Sequence, residues 1–339
     1  MKICQVLASD NYGGLEKHTI ELSIELYKQG VDITVIADDY FKDYLKDIHF
    51  ISLDFSRSRY NPLMLYKLYK ILNKYEFDII HTQANKATAM VSKIKPFLSS
   101  KFVATLHSQK RNIKAYENFD YIIGVSHRVL ASLDNPSKIV IYNGIDTPKV
   151  TYDELFWDRF GISKESFVIS AIGRLESVKN FPMLIEAISE LPVELVIVGD
   201  GSKRDELEEM VKMLNISSKV HFLGFREDVN DILYHSRLSV ISSDREGFSY
   251  VMAEALLLEK PIISTDVGDM KKILPKEYVV SVGDVGAMKN TILKFLNNYD
   301  DSLDEFMGSF DFARKNFTLN SMVSRVKTLY KNIIQKECR

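Results

Sequence analysis

The 339-residue chain is 46% apolar, with 44 Lys and Arg against 46 Asp and Glu for a formal net charge of −2. This length suits two ordinary domains or one large one, with enough apolar residues for a proper core, and the near-neutral balance argues against a nucleic-acid partner. The charge is unevenly spread. Residues 1–150 hold 20 basic and 16 acidic side chains and the remainder 24 and 30, which suggests different partners for the two halves.

The first predicted strand is "KICQVLA", with Cys4 inside it as a buried thiol. Gln5, Ser9 and Asp10 interrupt its apolar character, so it reads as a strand and not as a signal peptide. Cys4 and Cys338 lie at opposite ends, and the absence of a disulfide framework or zinc spacing fits a reducing cytosol. "GLEKHTIELSIELYKQG" is an amphipathic helix, apolar at 15, 20, 22, 24 and 26 and closed by Gly30. There follow strand "DITVIAD", helix 62–75, strand "FDIIHT", helix 85–95, strands "KFVATLH" and "YIIGVS", a helix from His127 and strand "KIVIYNG". The pattern restarts after a break near 145–165. Strand "SFVISAIG" leads to helix 180–190, strand "VELVIVGDG", helix 203–214, strand "KVHFLG", helix 228–235, strand "LSVISS", helix 249–259 and strand "KPIIST", with closing helices near 286–298 and 318–336. Strands alternating with helices predict an α/β fold of two doubly wound, Rossmann-like units, residues 1–150 and 151–317, facing across a cleft. No run approaches the ~20 apolar residues of a membrane span.

Ligands of open α/β sheets sit at the carboxyl ends of the strands, so the residues just after each strand carry the functional reading. Gly13-Gly14 can let a helix N-terminus approach an anion with φ > 0, or can be a plain strand–helix turn. His107 ends an apolar run and projects towards the cleft, or is a packing histidine; the other six histidines, 18, 49, 81, 127, 221 and 235, show no metal-ligand spacing. In "GRLESVKN", Arg174 and Lys179 flank a helix start, a strong site for a diphosphate unless the loop is merely solvated. In "DREGFSYVMAEAL", Ser249 can cap a helix carrying Glu254, with Glu246 in the preceding loop and Gly247 permitting close approach. Two carboxylates so placed can grip hydroxyls at two points; the alternative is a capped surface helix. No Asp-x-Asp metal motif occurs among the 25 aspartates, so Arg174, Lys179 and helix ends would have to neutralise a diphosphate.

These segments together resemble family 4 of the retaining glycosyltransferases, of the GT-B fold. The ordered set is "GGLEKH", "NGID", "GRLESVKN", "VGDGSKRDEL", "VHFLGFRED" and "EGFSYVMAE", covering residues 13 to 254. The resemblance implies that Arg174 and Lys179 bind the donor pyrophosphate, Glu254 the ribose and Glu246 the transferred sugar. Gly247 and Phe248 would add backbone contacts beside Ser249. Gly13 and Gly14 would face the phosphates, and His107 the sugar near the reacting carbon. Gly173 belongs to the same donor loop. Asp200, Gly224 and Phe225 would line the base pocket. Helix 318–339 would cross back onto the first domain, with "NGID" as a hinge. The implied donor is a UDP- or GDP-sugar, with UDP favoured, used without metal or cofactor. Substitution would be front-face, with retained anomeric configuration, in a cytoplasmic enzyme of lipopolysaccharide or capsule assembly. A sugar-nucleotide epimerase and a non-catalytic sugar-nucleotide-binding subunit are the rival readings. From Asn85 to Tyr116 there are seven basic residues and no acid, among them Lys86, Lys93, Lys95, Lys110, Arg111 and Lys114, with Met90, Val91 and Ile94 on the same helix. That surface suits a glycan or lipid-linked acceptor at the anionic inner face of the plasma membrane, or is a solubilising lysine face.

Overall fold

Continuous apolar runs form the strands because both faces of each sheet are covered by helices. The computed structural model describes residues 1–9, 13–109 and 112–335. In chain order the first elements are β1 (Lys2–Leu7), α1 (Gly14–Lys28), β2 (Asp32–Ala37), β3 (His49–Ser52), α2 (Pro62–Tyr75), β4 (Ile79–Gln83) and α3 (Ala84–Ile94), then β5 (Lys101–Leu106), α4 (Lys114–Glu117), β6 (Tyr121–Gly124), α5 (His127–Leu130) and β7 (Lys138–Val140). The strands form one parallel sheet in the order β3-β2-β1-β4-β5-β6-β7. The second series is β8 (Val168–Ile172), α6 (Phe181–Ile188), β9 (Glu194–Val198), α7 (Arg204–Met213), β10 (Val220–Gly224), α8 (Val229–His235), β11 (Leu238–Ile241) and α9 (Tyr250–Leu257), then β12 (Ile262–Thr265), α10 (Met270–Ile273), β13 (Val279–Val280), α11 (Val285–Asn297), α12 (Tyr299–Glu305) and α13 (Met307–Asn316). Its parallel sheet runs β10-β9-β8-β11-β12-β13. Each order reverses once, between β1 and β4 and between β8 and β11.

The last helix, α14 (Leu319–Gln335), belongs to the first unit. Its apolar stripe, including Met322, Val323, Val326 and Tyr330, joins Ile3, Leu22, Leu26 and Val35 in one core. The unit is therefore Met1–Gly144 with the chain from Thr318, and the second is Ile145–Phe317. The first crossing lies inside "NGID". A Cβ on Gly144 would stand 2.5 Å from the Thr318 carbonyl oxygen, so the close approach of α14 to this loop requires a glycine there.

The alternating pattern placed the helices well, but four stretches differ from expectation. Residues 38–52 hold a 3-10 turn at Asp39–Leu45 and the edge strand β3. β3 lacks a fully buried residue, which is why its apolar signal is weak. β13 is a two-residue edge strand, and α12 and α13 fill 299–316 with little periodic contrast. Strand "KIVIYNG" stops at Val140.

The carboxyl ends of β8, β9 and β10 are bonded to one another through glycines. Gly173 N donates to the Val198 carbonyl at 2.9 Å and Gly199 N to that of Gly224 at 2.8 Å. Gly199 has φ +129°, and a Cβ there would sit 2.0 Å from the Gly173 carbonyl oxygen. Gly199→Ala is therefore expected to destabilise the protein by about 3 kcal/mol or more in urea unfolding, since backbone must shift. Gly283, at φ +78° with nothing within 4 Å of the Cβ position, is the control; its alanine variant should cost only about 1 kcal/mol. Equal losses would show that conformation alone, and not the clash, governs Gly199.

Candidate functional site

The second unit brings its predicted residues together at the reversal between β8 and β11. After β8 the chain makes a 3-10 turn, Ser177–Lys179, and Asn180 at φ +47° caps α6 by accepting from Met183 N. This loop is laced to the one after β11. Asn180 Nδ2 donates to Asp244 Oδ1 at 2.8 Å, Asp244 N to the Val178 carbonyl at 2.8 Å, and Ser242 Oγ to the Lys179 carbonyl at 2.8 Å. Lys179 Nζ lies 2.5 Å from Glu246 Oε1, which also accepts from Ser243 Oγ at 2.9 Å. Thus the cation expected at a pyrophosphate and the acid expected at a sugar are each other's partners. The pairing joins residues 67 apart in sequence and was not legible from motif spacing. Arg174 is exposed, and among the described residues its guanidinium has no ion pair.

Ser249 caps α9 as predicted, its Oγ accepting from Met252 N at 3.2 Å, and Glu254 is half-buried on that helix. Gly247 and Phe248 are half-buried beside it; the Phe248 ring packs edge-on to Tyr250 and to Phe317. A residue not singled out from sequence, Gly268, supports this loop: its Cβ position lies 3.4 Å from the Gly247 carbonyl oxygen. On the other side, Gly173 and Gly224 belong to the glycine-joined strand ends. Asp200 is exposed and accepts from Gly201 N at 2.8 Å, while Phe225 is 78% exposed. Arg226, next to it, is held off by a two-point pair with Asp228. An exposed phenyl ring beside exposed polar backbone suits stacking on a planar base.

The first unit has a pocket of about 280 Å³ at the ends of β1, β4 and β5, lined in part by Ser9, Glu16, Arg59, Gln83, Lys86 and His107. The glycine pair behaves differently from the expectation. Gly13 is extended at φ −160° and Gly14 is the first residue of α1, so neither uses the left-handed region. Glu16 sits in the first turn of α1, 8% exposed, with Oε2 3.3 Å from the Gly13 Cβ position. A carboxylate already serves that positive helix end.

His107 Nε2 bonds Gln83 Oε1 at 2.9 Å, and its ring meets His18 edge-on with centroids 4.9 Å apart. His81 lies close by, bonded through Nε2 to Thr105 Oγ1 at 2.7 Å and through Nδ1 to Tyr330 OH at 2.5 Å. Burial is the main cause that lowers all three rings, His18 to about 4, His81 to about 3 and His107 well below the usual 6.5, with mutual repulsion adding for His81 and His107. They are neutral at neutral pH. Sequence spacing gave no sign of this cluster, because β4, β5 and α1 bring it together. Among the described residues no group of three His, Cys, Asp or Glu could hold a metal.

The basic segment is not the partly apolar surface expected. Met90 and Val91 are 0% exposed and Ile94 is 6%; they face the core. Lys86 donates to the Phe55 carbonyl, and Lys95 donates to the Asn118 carbonyl and pairs with Asp120 at 3.4 Å. Lys93 lies 3.9 Å over the Tyr60 ring, and Lys114 is exposed on α4. Lys110 and Arg111 lie outside the described residues.

Comparison with known proteins adds to this geometry. Residues 12–149 match the family described as Glycosyltransferase Family 4, and residues 154–308 the one described as Glycosyl transferases group 1. The chain is 24% identical to N-acetyl-alpha-D-glucosaminyl L-malate synthase of Bacillus anthracis, over 82% of this chain and 81% of that one. It is 24% identical to the UDP-Gal:alpha-D-GlcNAc-diphosphoundecaprenol alpha-1,3-galactosyltransferase of Escherichia coli, over 98% and 97%. Its fold is similar to that of Anabaena HepE, solved in complex with UDP, at a TM-score of 0.86 and 20% identity, covering 98% of this chain and all of the other.

The neutral histidines make stability depend on pH. Between 6.5 and the depressed values the unfolded chain takes up protons that the folded chain refuses, so stability falls as pH falls through this window. Each ring should cost about 1.4 kcal/mol per pH unit below its unfolded pKa. The thermal midpoint should therefore drop between about pH 7 and pH 5, and His18→Leu should make the drop shallower. A midpoint flat over that range would mean the rings are already charged in the fold.

Proposed function

Because this chain belongs to family 4 of the glycosyltransferases, of the GT-B fold, we propose that it moves a hexosyl or N-acetylhexosaminyl group from a nucleoside diphosphate sugar, UDP favoured, to a glycan or lipid-linked acceptor. Anomeric configuration is retained, and no metal is needed. The observation that carries this reading is the reversal point of the second unit. Among the described residues Arg174 is exposed and without an ion pair, in the same loop after β8 that carries Lys179, itself paired with Glu246 ahead of the capped N-terminus of α9. A diphosphate drawn to Arg174 and the N–H groups of α9 can take Lys179 as a second cation, which frees Glu246 for sugar hydroxyls. Both cations then act where negative charge grows as the nucleoside diphosphate leaves. Glu254 is placed for the ribose and Phe225 for the base. The departing phosphate itself accepts the acceptor's proton, and Glu246, engaged with sugar hydroxyls, is not assigned as a nucleophile. The UDP bound to Anabaena HepE and the diphosphoundecaprenol in the name of the E. coli relative support the donor and acceptor classes. Lipopolysaccharide or capsule assembly on the cytoplasmic side is the corresponding setting.

In this reading the first unit's pocket takes the acceptor, with Glu16, Arg59 and Lys86 as its charged groups. The membrane face lies on α2, in place of the 86–95 helix. Leu63 (51% exposed) and Tyr66 (53%) share one stripe with exposed Lys67, Lys70 and Lys74, and Phe97 (67%) is close by through its ring contact with Tyr69. Residues 55–116 contain twelve Lys or Arg and only two acids, Glu76 and Asp78. Exposed apolar rings within so basic a surface complement an anionic bilayer. No described helix is long and apolar enough to cross one.

Arg174→Ala should lower kcat about 10²-fold, equivalent to roughly 3 kcal/mol of barrier, by analogy with loss of one oxyanion donor. Turnover should survive EDTA, and NMR of the product should show retained configuration. Undiminished turnover in Arg174→Ala, or full loss in EDTA, would refute the metal-free clamp. Flotation with anionic vesicles should weaken with salt and be lost in the Lys67→Glu/Lys70→Glu double variant, with transfer to a soluble acceptor unchanged. Vesicle binding equal in wild type and double variant would remove α2 from this role.

A further inference from the structure

A buried chain of hydrogen bonds runs from the C-terminal helix to His107, and its members come from four elements. Gln5 on β1, His81 and Gln83 on β4, Thr105 on β5 and Tyr330 on α14 are each 0–1% exposed. With the Gln83 and Gln5 amides oriented as they are in the structure, the chain runs in one direction. Gln83 Oε1 can only accept, so the bonded His107 Nε2 carries the proton. Gln83 Nε2 donates to Gln5 Oε1 at 2.9 Å, which turns Gln5 Nε2 to donate to Tyr330 OH at 3.0 Å. The tyrosine hydroxyl then gives its own proton to His81 Nδ1, and His81 Nε2–H goes to Thr105 Oγ1. No amide can turn alone, because a single reversal leaves two donors or two acceptors facing each other.

We infer that Gln83, braced through Gln5 by Tyr330, is a positioning residue that holds His107 as its Nε2-protonated tautomer, so that Nδ1 is left to accept a hydrogen bond from a substrate hydroxyl. Among the described residues nothing bonds His107 Nδ1, and the ring lines the first unit's pocket. The backbone next to Gln83 is constrained. Ala84, directly after Gln83, is held at φ +59°, a conformation alanine keeps only where its surroundings impose it. A donating Nδ1–H serves any oxygen acceptor, whereas a bare Nδ1 needs a donor, such as the hydroxyl a sugar presents. The functional half of this inference rests on the transferase reading, but the tautomer does not. The final helix thereby contributes to the site through a bond between residues 325 apart.

Long-range proton–nitrogen NMR of the histidine-labelled full chain tests it, with His107 assigned by its loss in His107→Asn. The wild type should show a neutral His107 ring protonated at Nε2. Gln83→Leu and Tyr330→Phe should each give mixed tautomers, and kcat should fall about tenfold with donor KM changed less than about twofold. Gln83→Glu should restore the single Nε2-protonated form, because a carboxylate also accepts. It should also raise the ring's pKa and so add an acidic limb to the pH profile, as protonation at Nδ1 removes the lone pair. His18, His81, Glu16, Arg59 and Lys86, the titratable neighbours on α1, β4, the 53–61 loop and α3, are unaltered in all three variants. A wild-type ring protonated at Nδ1 overturns the inference, as does a single Nε2 form in both Gln83→Leu and Tyr330→Phe. The spectrum needs no sugar donor, so it is independent of the outcome for Arg174→Ala.

Discussion

Parallel strands buried on both faces leave only their ends for chemistry, and that constraint organises this protein. β1, β4, β8 and β11 lie at the two reversals of strand order, and the residues with chemical reach sit at or just past their ends: Gln83 ending β4, Arg174 and Lys179 after β8, Glu246 after β11. At a reversal the helices on either side leave to opposite faces, and the strand ends are left uncovered. The glycines at β8, β9 and β10 extend the same logic: without side chains, the turns bond to each other and leave their polar backbone next to the loops that carry charge.

The two units equip their strand ends differently. The second uses charge, with a close Lys179–Glu246 pair and an exposed Arg174. A pair of this kind holds two loops in register and keeps either partner from being an uncompensated half-buried ion. The first adds a neutral network, with three imidazoles stripped of charge by burial and linked amides that turn only together. The charged arrangement of the second unit suits a substrate with formal charge, and the neutral network of the first suits one with hydroxyls.

Much of the fold was readable because helix and strand periods differ so plainly. Helix 62–75 begins at Pro62 behind an Asn61 cap, and Ser249 caps α9, both as residue chemistry dictates. What failed did so for identifiable reasons. β3 and β13 are edge strands with little apolar contrast. Met90, Val91 and Ile94 looked like part of a basic surface, but their stripe turns towards the sheet while the lysines turn out or cap backbone carbonyls. Gly13-Gly14, which reads as an anion turn or a plain strand–helix turn, does not use the left-handed region and has Glu16 beside it.

The linear order of residues determined, by itself, that there would be two parallel-sheet units, where their helices begin, and which strand ends carry arginine, lysine and paired glutamates. These are local properties, set by side-chain period, cap chemistry and the few residues a turn admits. Tertiary structure decided the partners: Lys179 with Glu246, Gln5 with Tyr330, and His18 and His81 beside His107. Such pairings depend on which strands become neighbours and on where α14 returns, and no spacing in one chain encodes a hydrogen bond across 325 residues.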